Sequence, residues 1–290
     1  DVLLLEKNNR CGGLVNTFEQ DGFFFDAGPR AFVNSGIVKP MLKDLGIQGD
    51  YLPNKISIGI EDEQFAVESM ESLAEYHRIL DKFYPESTAD IQVILREIKK
   101  LSQYTRVLYD FDNPSFVDIM DDKGFIFKEL LPWTIKFLIT MRKLKRYDLP
   151  MESFLERLTS NQSLTDIMTQ LFFRKTPTNF ALGYFYVYLD YFYPKTGTGA
   201  LPKLLQDRIS EWGGNIKLNT EIVEIRPAGK QVVGANGKIY DYDYLIWAGD
   251  LKAFYRRTDP GGMSSDEMAA FEDKKVQVLD AKGEESVFIL

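Results

Sequence analysis

The sequence predicts an α/β protein in which a mostly helical block interrupts a doubly wound domain. Three observations predict it. Val2–Leu5 is a continuous apolar run closed by Glu6, the pattern of a parallel strand buried on both faces. From about residue 51 to residue 192 helical periodicity dominates and turn signals are few. From residue 193 the alternation of helix and strand returns, as it does when a segment is inserted into a layered domain.

The elements follow in order. Cys11-Gly12-Gly13 reads as a tight turn, Gly22–Asp26 as a second short strand and Ala27–Arg30 as a turn. Val38–Leu45 reads as a short amphipathic helix stopped by Gly46. Lys55–Val67 alternates apolar and polar residues, which predicts a hairpin. Helices are expected at 69–83, 87–110, 114–121, 125–147, 150–158 and 163–172. Leu201, Leu204, Leu205, Ile209 and Trp212 form one apolar helix stripe, ended by Gly213-Gly214. Ile216–Arg226 reads as a strand and Gln231–Tyr240 as a hairpin on Asn236-Gly237, a type I′ signal. Tyr244–Ala248 reads as another apolar strand, ending at Gly249. Asp1 opens the chain in mid-strand and Ser286–Leu290 closes it in another apparent strand, so a fragment is expected.

Composition narrows the function. Apolar residues make up 44% and charged residues 27%, the balance of a globular protein. A net charge of −8 argues against nucleic-acid binding, which needs a basic excess. One cysteine, Cys11, and one histidine, His77, exclude an internal disulfide framework and a Cys-rich zinc site, and no metal is expected. His77 lies in a polar helical stretch and reads as a solvated helix residue, not the base of a catalytic triad. Cys11 reads as a small buried filler, and low cysteine fits a reducing, cytoplasmic setting. No uncharged apolar run approaches the roughly 20 residues that span a bilayer.

Chemistry begins at Glu6. An acid at the end of the second strand of a dinucleotide-binding fold accepts hydrogen bonds from ribose hydroxyls. Alone it reads as a solvated acid, but it opens the run Glu6-Lys7-Asn8-Asn9-Arg10-Cys11-Gly12-Gly13. Two glycines at that distance let backbone N–H groups come close to a diphosphate. With Asp26-Ala27-Gly28 and Pro29-Arg30 beyond, this order resembles the FAD-dependent amine oxidase and phytoene desaturase superfamily. Tyr193–Leu201, the helix to Trp212, Gly213-Gly214 and Thr220–Ile225 follow in family order. Leu14 stands where amine oxidases often carry arginine, which favours the desaturase-like branch. The adjacent glycines usual after the Tyr-Pro segment are spread here as Gly197-Thr198-Gly199.

The resemblance implies an FAD/NAD(P)-binding doubly wound domain, lacking its first strand and Gly-rich loop, with an inserted substrate domain. The expected domains are 1–50 and 193–256 for FAD binding, 51–192 for the substrate domain with its hairpin, and 257–290 as an incomplete return to it. Glu6 would bind the adenosine ribose, Gly12 and Gly13 the diphosphate region, and Gly28, Pro29 and Arg30 would lie near the flavin ring. Lys7 counts among the cofactor-binding residues, Val223 would meet the adenine through its backbone, and the strand ending at Ala248 would return near the cofactor. The implied function is hydride transfer between flavin and a large apolar substrate: a polyene, carotenoid, retinoid or other isoprenoid. An amine or porphyrinogen oxidase of the same fold stays open, as does a flavin-free binding protein resembling Rab GDP-dissociation inhibitors, against which Glu6 and Gly12-Gly13 stand. No residue is assigned as catalytic acid or base.

Two segments bear on the substrate. Tyr184, Phe185, Tyr186, Tyr188, Tyr191, Phe192 and Tyr193 form an aromatic cluster, which reads as helix core and, on some faces, as the wall of an apolar tunnel. Residues 123–147 carry Lys123, Lys128, Lys136, Arg142, Lys143, Lys145 and Arg146 against Glu129, a local net of +6, interleaved with large apolar residues. An ordinary helix with a basic solvent face and a peripheral membrane contact both fit that pattern.

Overall fold

The computed structural model describes residues 2–116 and 123–282. They divide into two compact units, one of 1–14 with 202–290 and one of 15–201. The sheets are small and mixed with helices throughout, an α/β architecture.

In the first unit, strand β1 (Leu3–Leu5) pairs in parallel with β9 (Asn215–Lys217), Leu4 opposite Ile216. Strands β10 (Ile222–Arg226), β11 (Gln231–Gly234) and β12 (Ile239–Asp241) form an antiparallel meander. Ile222, Ile225 and Val232 supply its buried core. Helix α10 (Leu251–Arg257) starts on the Asp250 side chain, which accepts the Ala253 N–H at 2.7 Å. Helix α11 (Ser265–Asp280) starts on a capping box formed by Ser264 and Glu267.

The second unit opens with a hairpin, β2 (Thr17–Gln20) on β3 (Phe23–Asp26). Its two-residue loop, Asp21-Gly22, has both residues at positive φ, +53° and +82°, as a type I′ turn requires. Strands β4 (Phe32–Val33), β8 (Tyr191–Pro194) and β5 (Tyr51–Pro53) form an antiparallel sheet with β8 central. Helix α1 (Val38–Asp44) ends where Gly46, at φ +64°, turns the chain. Strands β6 (Ile56–Ile60) and β7 (Glu63–Val67) form the hairpin expected from alternation.

The helices of this unit pack on α3 (Thr88–Tyr109), whose Ile91, Ile94, Ile98 and Leu101 lie on one buried face at helical spacing. Against it lie α2 (Leu73–Phe83), with Ile79 and Leu80 fully buried, and α8 (Thr178–Val187). A short α4 (Lys123–Phe125) and a π-helical turn over 126–130 lead into α5 (Leu131–Leu144). Trp133 fastens α5 to α3 by donating its ring N–H to the Val107 carbonyl at 2.8 Å and stacking on Phe111. Two short helices, α6 (Met151–Leu155) and α7 (Gln162–Thr169), complete the block, and α9 (Ala200–Glu211) leads out of it.

Several local expectations are corrected. Ile216–Arg226 is not one strand but two, β9 and β10, parted by a turn with Asn219 at φ +51°. The loop at Asn236-Gly237 is not type I′, because only Gly237 has positive φ. It is a three-residue loop, and the Gly234 N–H donates to the Lys238 carbonyl at 2.8 Å. Tyr244–Ala248 forms no strand, because no described strand runs beside it to complete a ladder. Tyr244 and Ile246 are 92% and 90% exposed. The helix expected at 114–121 is a 3₁₀ turn over Pro114–Phe116, its remainder outside the described residues, as is the strand at Ser286–Leu290.

The compact units are also drawn differently from the expected domains. Residues 15–50 lie with the helical block, tied there through Asp26, and 257–282 lie with the first unit. The tie there is Arg257, which donates to the Ile222 carbonyl and pairs with Glu221, followed by Asp259, whose N–H donates to the Ile225 carbonyl.

Candidate functional site

In the first unit the end of β1 is stitched to the turn that follows β9. The Glu6 N–H donates to the Lys217 carbonyl at 2.9 Å, and the Thr220 and Asn219 N–H groups donate to the Glu6 and Asn8 carbonyls at 2.8 and 2.9 Å. This fixes the half-buried Glu6 beside Thr220, two positions before β10 begins at Ile222. One carboxylate oxygen of Glu6 accepts the Asn8 N–H at 2.7 Å, and the other has no partner among the described residues. Lys7 beside it is exposed.

Gly12 and Gly13 sit at φ +113° and +58°, and nothing lies within 4 Å of where a Gly13 side chain would begin. Only glycine adopts the first of these angles readily, so the turn leaves open backbone. Val223 lies where the β10–β11 register shifts: Ile222 faces Gly234 and Glu224 faces Val233, so Val223 is the additional residue of a bulge. Its side chain is 43% exposed. Ala248 is exposed on the irregular segment after β12.

In the second unit Gly28, Pro29 and Arg30 form an exposed turn after β3, and the Asn54 side chain donates to the Arg30 carbonyl at 3.1 Å. The anchor of this turn is Asp26. Its carboxylate accepts from the Tyr193 hydroxyl at 2.6 Å, the Thr17 hydroxyl at 2.8 Å, and the Thr198 N–H and hydroxyl at 2.9 and 3.0 Å. Partial burial works against its ionisation, but the hydrogen bonds from Tyr193, Thr198 and Thr17 outweigh it and hold the carboxyl below the usual range. Thr17 and the fully buried Thr198 were invisible in the sequence as a site, since their pairing with Asp26 spans 9 and 172 positions.

The same unit holds a half-open cavity of about 740 Å³. Ile56 and Ile58 of β6, Leu171 to Phe173 after α7, and Phe180, Ala181, Leu182 and Phe185 of α8 supply its apolar wall. The aromatic cluster divides as its register dictates. Tyr184, Phe185, Tyr188 and Tyr191 line the cavity. The Tyr186 hydroxyl turns to Asp110, Phe192 is buried against Phe32 and Tyr51, and Tyr193 serves Asp26. The cavity-lining part of 167–176 gave no signal beyond ordinary apolar content.

The flavin-containing amine oxidoreductase family matches residues 1–274. A 4,4'-diapolycopene oxygenase of Methylomonas is 26% identical over 262 residues, 84% of this chain and 50% of the relative. A 4,4'-diapophytoene desaturase of Staphylococcus aureus is 29% identical over 111 residues, 37% of this chain and 22% of the relative. The chain thus spans at most half the length of these relatives. Among solved structures, a Pyrococcus furiosus protein overlays 97% of the chain and 59% of itself with a TM-score of 0.60 at 14% identity, a likeness of fold. The strand-end acid, the paired glycines and the match over nearly the whole described length agree: the chain belongs to the flavin-containing amine oxidoreductase family.

Proposed function

We propose that this chain belongs to an FAD-dependent oxidoreductase that transfers hydride between flavin and a large apolar substrate, a polyene, carotenoid, retinoid or other isoprenoid. The apolar cavity of the second unit carries the substrate class. Its volume lies in the range of small-molecule sites, and its wall is built mostly from aliphatic and aromatic side chains. Relatives named for diapolycopene and diapophytoene support the same chemistry.

The residues present fit FAD. Glu6 offers a carboxylate oxygen without a partner among the described residues for a ribose hydroxyl, the Gly12-Gly13 turn offers backbone that is open at Gly13 to a diphosphate, and the bulge at Val223 frees main chain for an adenine edge. Lys7 and Ala248 complete the candidates of the first unit, and in the second unit Gly28, Pro29 and Arg30, held by Asp26, are candidates for the flavin-ring side on the family resemblance alone. When bound, the flavin supplies the hydride chemistry. The chain's own part is to bind, orient and keep water from an apolar substrate.

In the full-length protein, Glu6→Ala should raise the Kd for FAD by about 10- to 150-fold, the loss of about 1.5–3 kcal/mol from charge-assisted hydrogen bonds. Fluorescence titration checks this, and an unchanged Kd removes Glu6 from the site.

Peripheral membrane contact through 123–147 is a second reading. No helix among the described residues is long and apolar enough to cross a membrane. Yet Leu131, Ile135, Leu138 and Ile139 share the outward face of α5 at 48–56% exposure, opposite the buried Thr140 and Leu144. Lys136, Arg142 and Lys143 accompany them, with Lys145 and Arg146 just beyond. Each basic residue near an anionic bilayer contributes about 1 kcal/mol, which salt weakens. Replacing these five with Gln should abolish flotation with anionic liposomes at low salt and leave flavin content unchanged. Equal flotation of variant and wild type would make this an ordinary solvated helix face.

A further inference from the structure

The cavity wall is mostly apolar, and beside Ser57, Gln170 and Thr176 its polar side chains are a group of phenols. Tyr184, Tyr188 and Tyr191 all line it, with their rings edge-to-face at centroid distances of 5.2, 5.9 and 6.4 Å. The Tyr184 and Tyr191 hydroxyls share one hydrogen bond at 2.5 Å. A bond between two hydroxyls uses one proton and leaves the other to donate elsewhere. Tyr188 has no hydrogen-bond partner among the described residues, and its oxygen is not sealed by packing. A phenol in an apolar wall normally finds a partner, because an unmade bond there is costly.

The charge of the wall restricts what that partner can be. Among the described residues no Lys, Arg or His lines the cavity, so a carboxylate or phosphate there would lack a counter-charge. Burial first, then the neighbouring Tyr184, pushes Tyr188 up from its ordinary value, and burial with the Tyr184 hydrogen bond does the same to Tyr191. Both therefore stay protonated at neutral pH and act as neutral donors.

We propose that the cavity takes an apolar chain bearing one uncharged oxygen, a hydroxyl or a carbonyl, which accepts a hydrogen bond from Tyr188 beside the Tyr184–Tyr191 pair. This inference rests on the apolar-substrate reading above and narrows it to its oxygen-bearing members. Tyr188 then acts as a specificity residue.

The test uses four probes of one chain length, decane, 1-decanol, decanal and decanoate, each displacing a solvatochromic dye from the purified protein. Decanol and decanal should bind about fivefold or more tighter than decane, as one hydrogen bond in an apolar site allows. Decanoate should bind more weakly than either. Tyr188→Phe should erase the preference while leaving the decane affinity unchanged, a result that a folding defect cannot produce. Equal affinity for decane, decanol and decanal overturns the oxygen assignment and leaves the apolar site intact. Failure of all four to displace the dye overturns the apolar-substrate reading itself.

Discussion

Asp26→Asn should lower the stability of the second unit by about 3 kcal/mol, the cost of exchanging a carboxylate with several donors for an amide that presents a donor of its own to them. Four hydrogen bonds converge on Asp26 from Thr17, Tyr193 and Thr198, and they join the first hairpin to the loop before α9. The loss should also depend on pH. A carboxyl held below its unfolded value stabilises the fold fully above the usual carboxylate range, and the contribution fades as pH falls through the lowered value. The wild-type advantage over Asp26→Asn should therefore be full at neutral pH and shrink as pH falls below about 5. Urea unfolding of both proteins across that range checks it. An advantage that does not change with pH would mean that Asp26 is not charged in the folded state.

Gly36→Ala should be as severe. Gly36 is buried at φ +67°, where an L side chain is strained, and a Cβ there would lie 1.9 Å from the Phe111 carbonyl oxygen. The obstacle is main chain, held because the Asn113 N–H donates to the Gly36 carbonyl at 2.7 Å. Strain of about 1–2 kcal/mol from the left-handed backbone adds to about 1–3 kcal/mol of overpacking. Gly22→Ala is the matched control, since Gly22 has φ +82° but nothing within 4 Å of a new Cβ. It should cost only the backbone strain. Thermal midpoints that fall equally in the two variants would contradict the clash.

The contrast between these residues shows what the sequence could and could not reveal. Helices α2, α3 and α5 and the hairpin β6–β7 were legible because their buried faces repeat at local spacing. The strand-end Glu6 and the Gly12-Gly13 turn were legible because the site they suggest is built from neighbours in sequence. Strand β8 was not, because its place between β4 and β5 depends on pairings across more than 130 positions. Strand β2 was missed although Asp21-Gly22 carries the hairpin signal, since Thr17–Gln20 has little apolar alternation of its own. Tyr244–Ala248 misled for the opposite reason: its apolar run looks like a strand, but a strand needs a neighbour. The Asp26 network and the tyrosines of the cavity come from contacts that only the folded chain creates.

The most direct measurement of the central claim is the visible spectrum of the purified full-length protein, recorded anaerobically before and after addition of an apolar polyene. Flavin absorption bands, release of FAD on denaturation, and a change of the flavin's redox state on mixing with a polyene that reaches the site are expected. A colourless protein that takes up no FAD on reconstitution would contradict it.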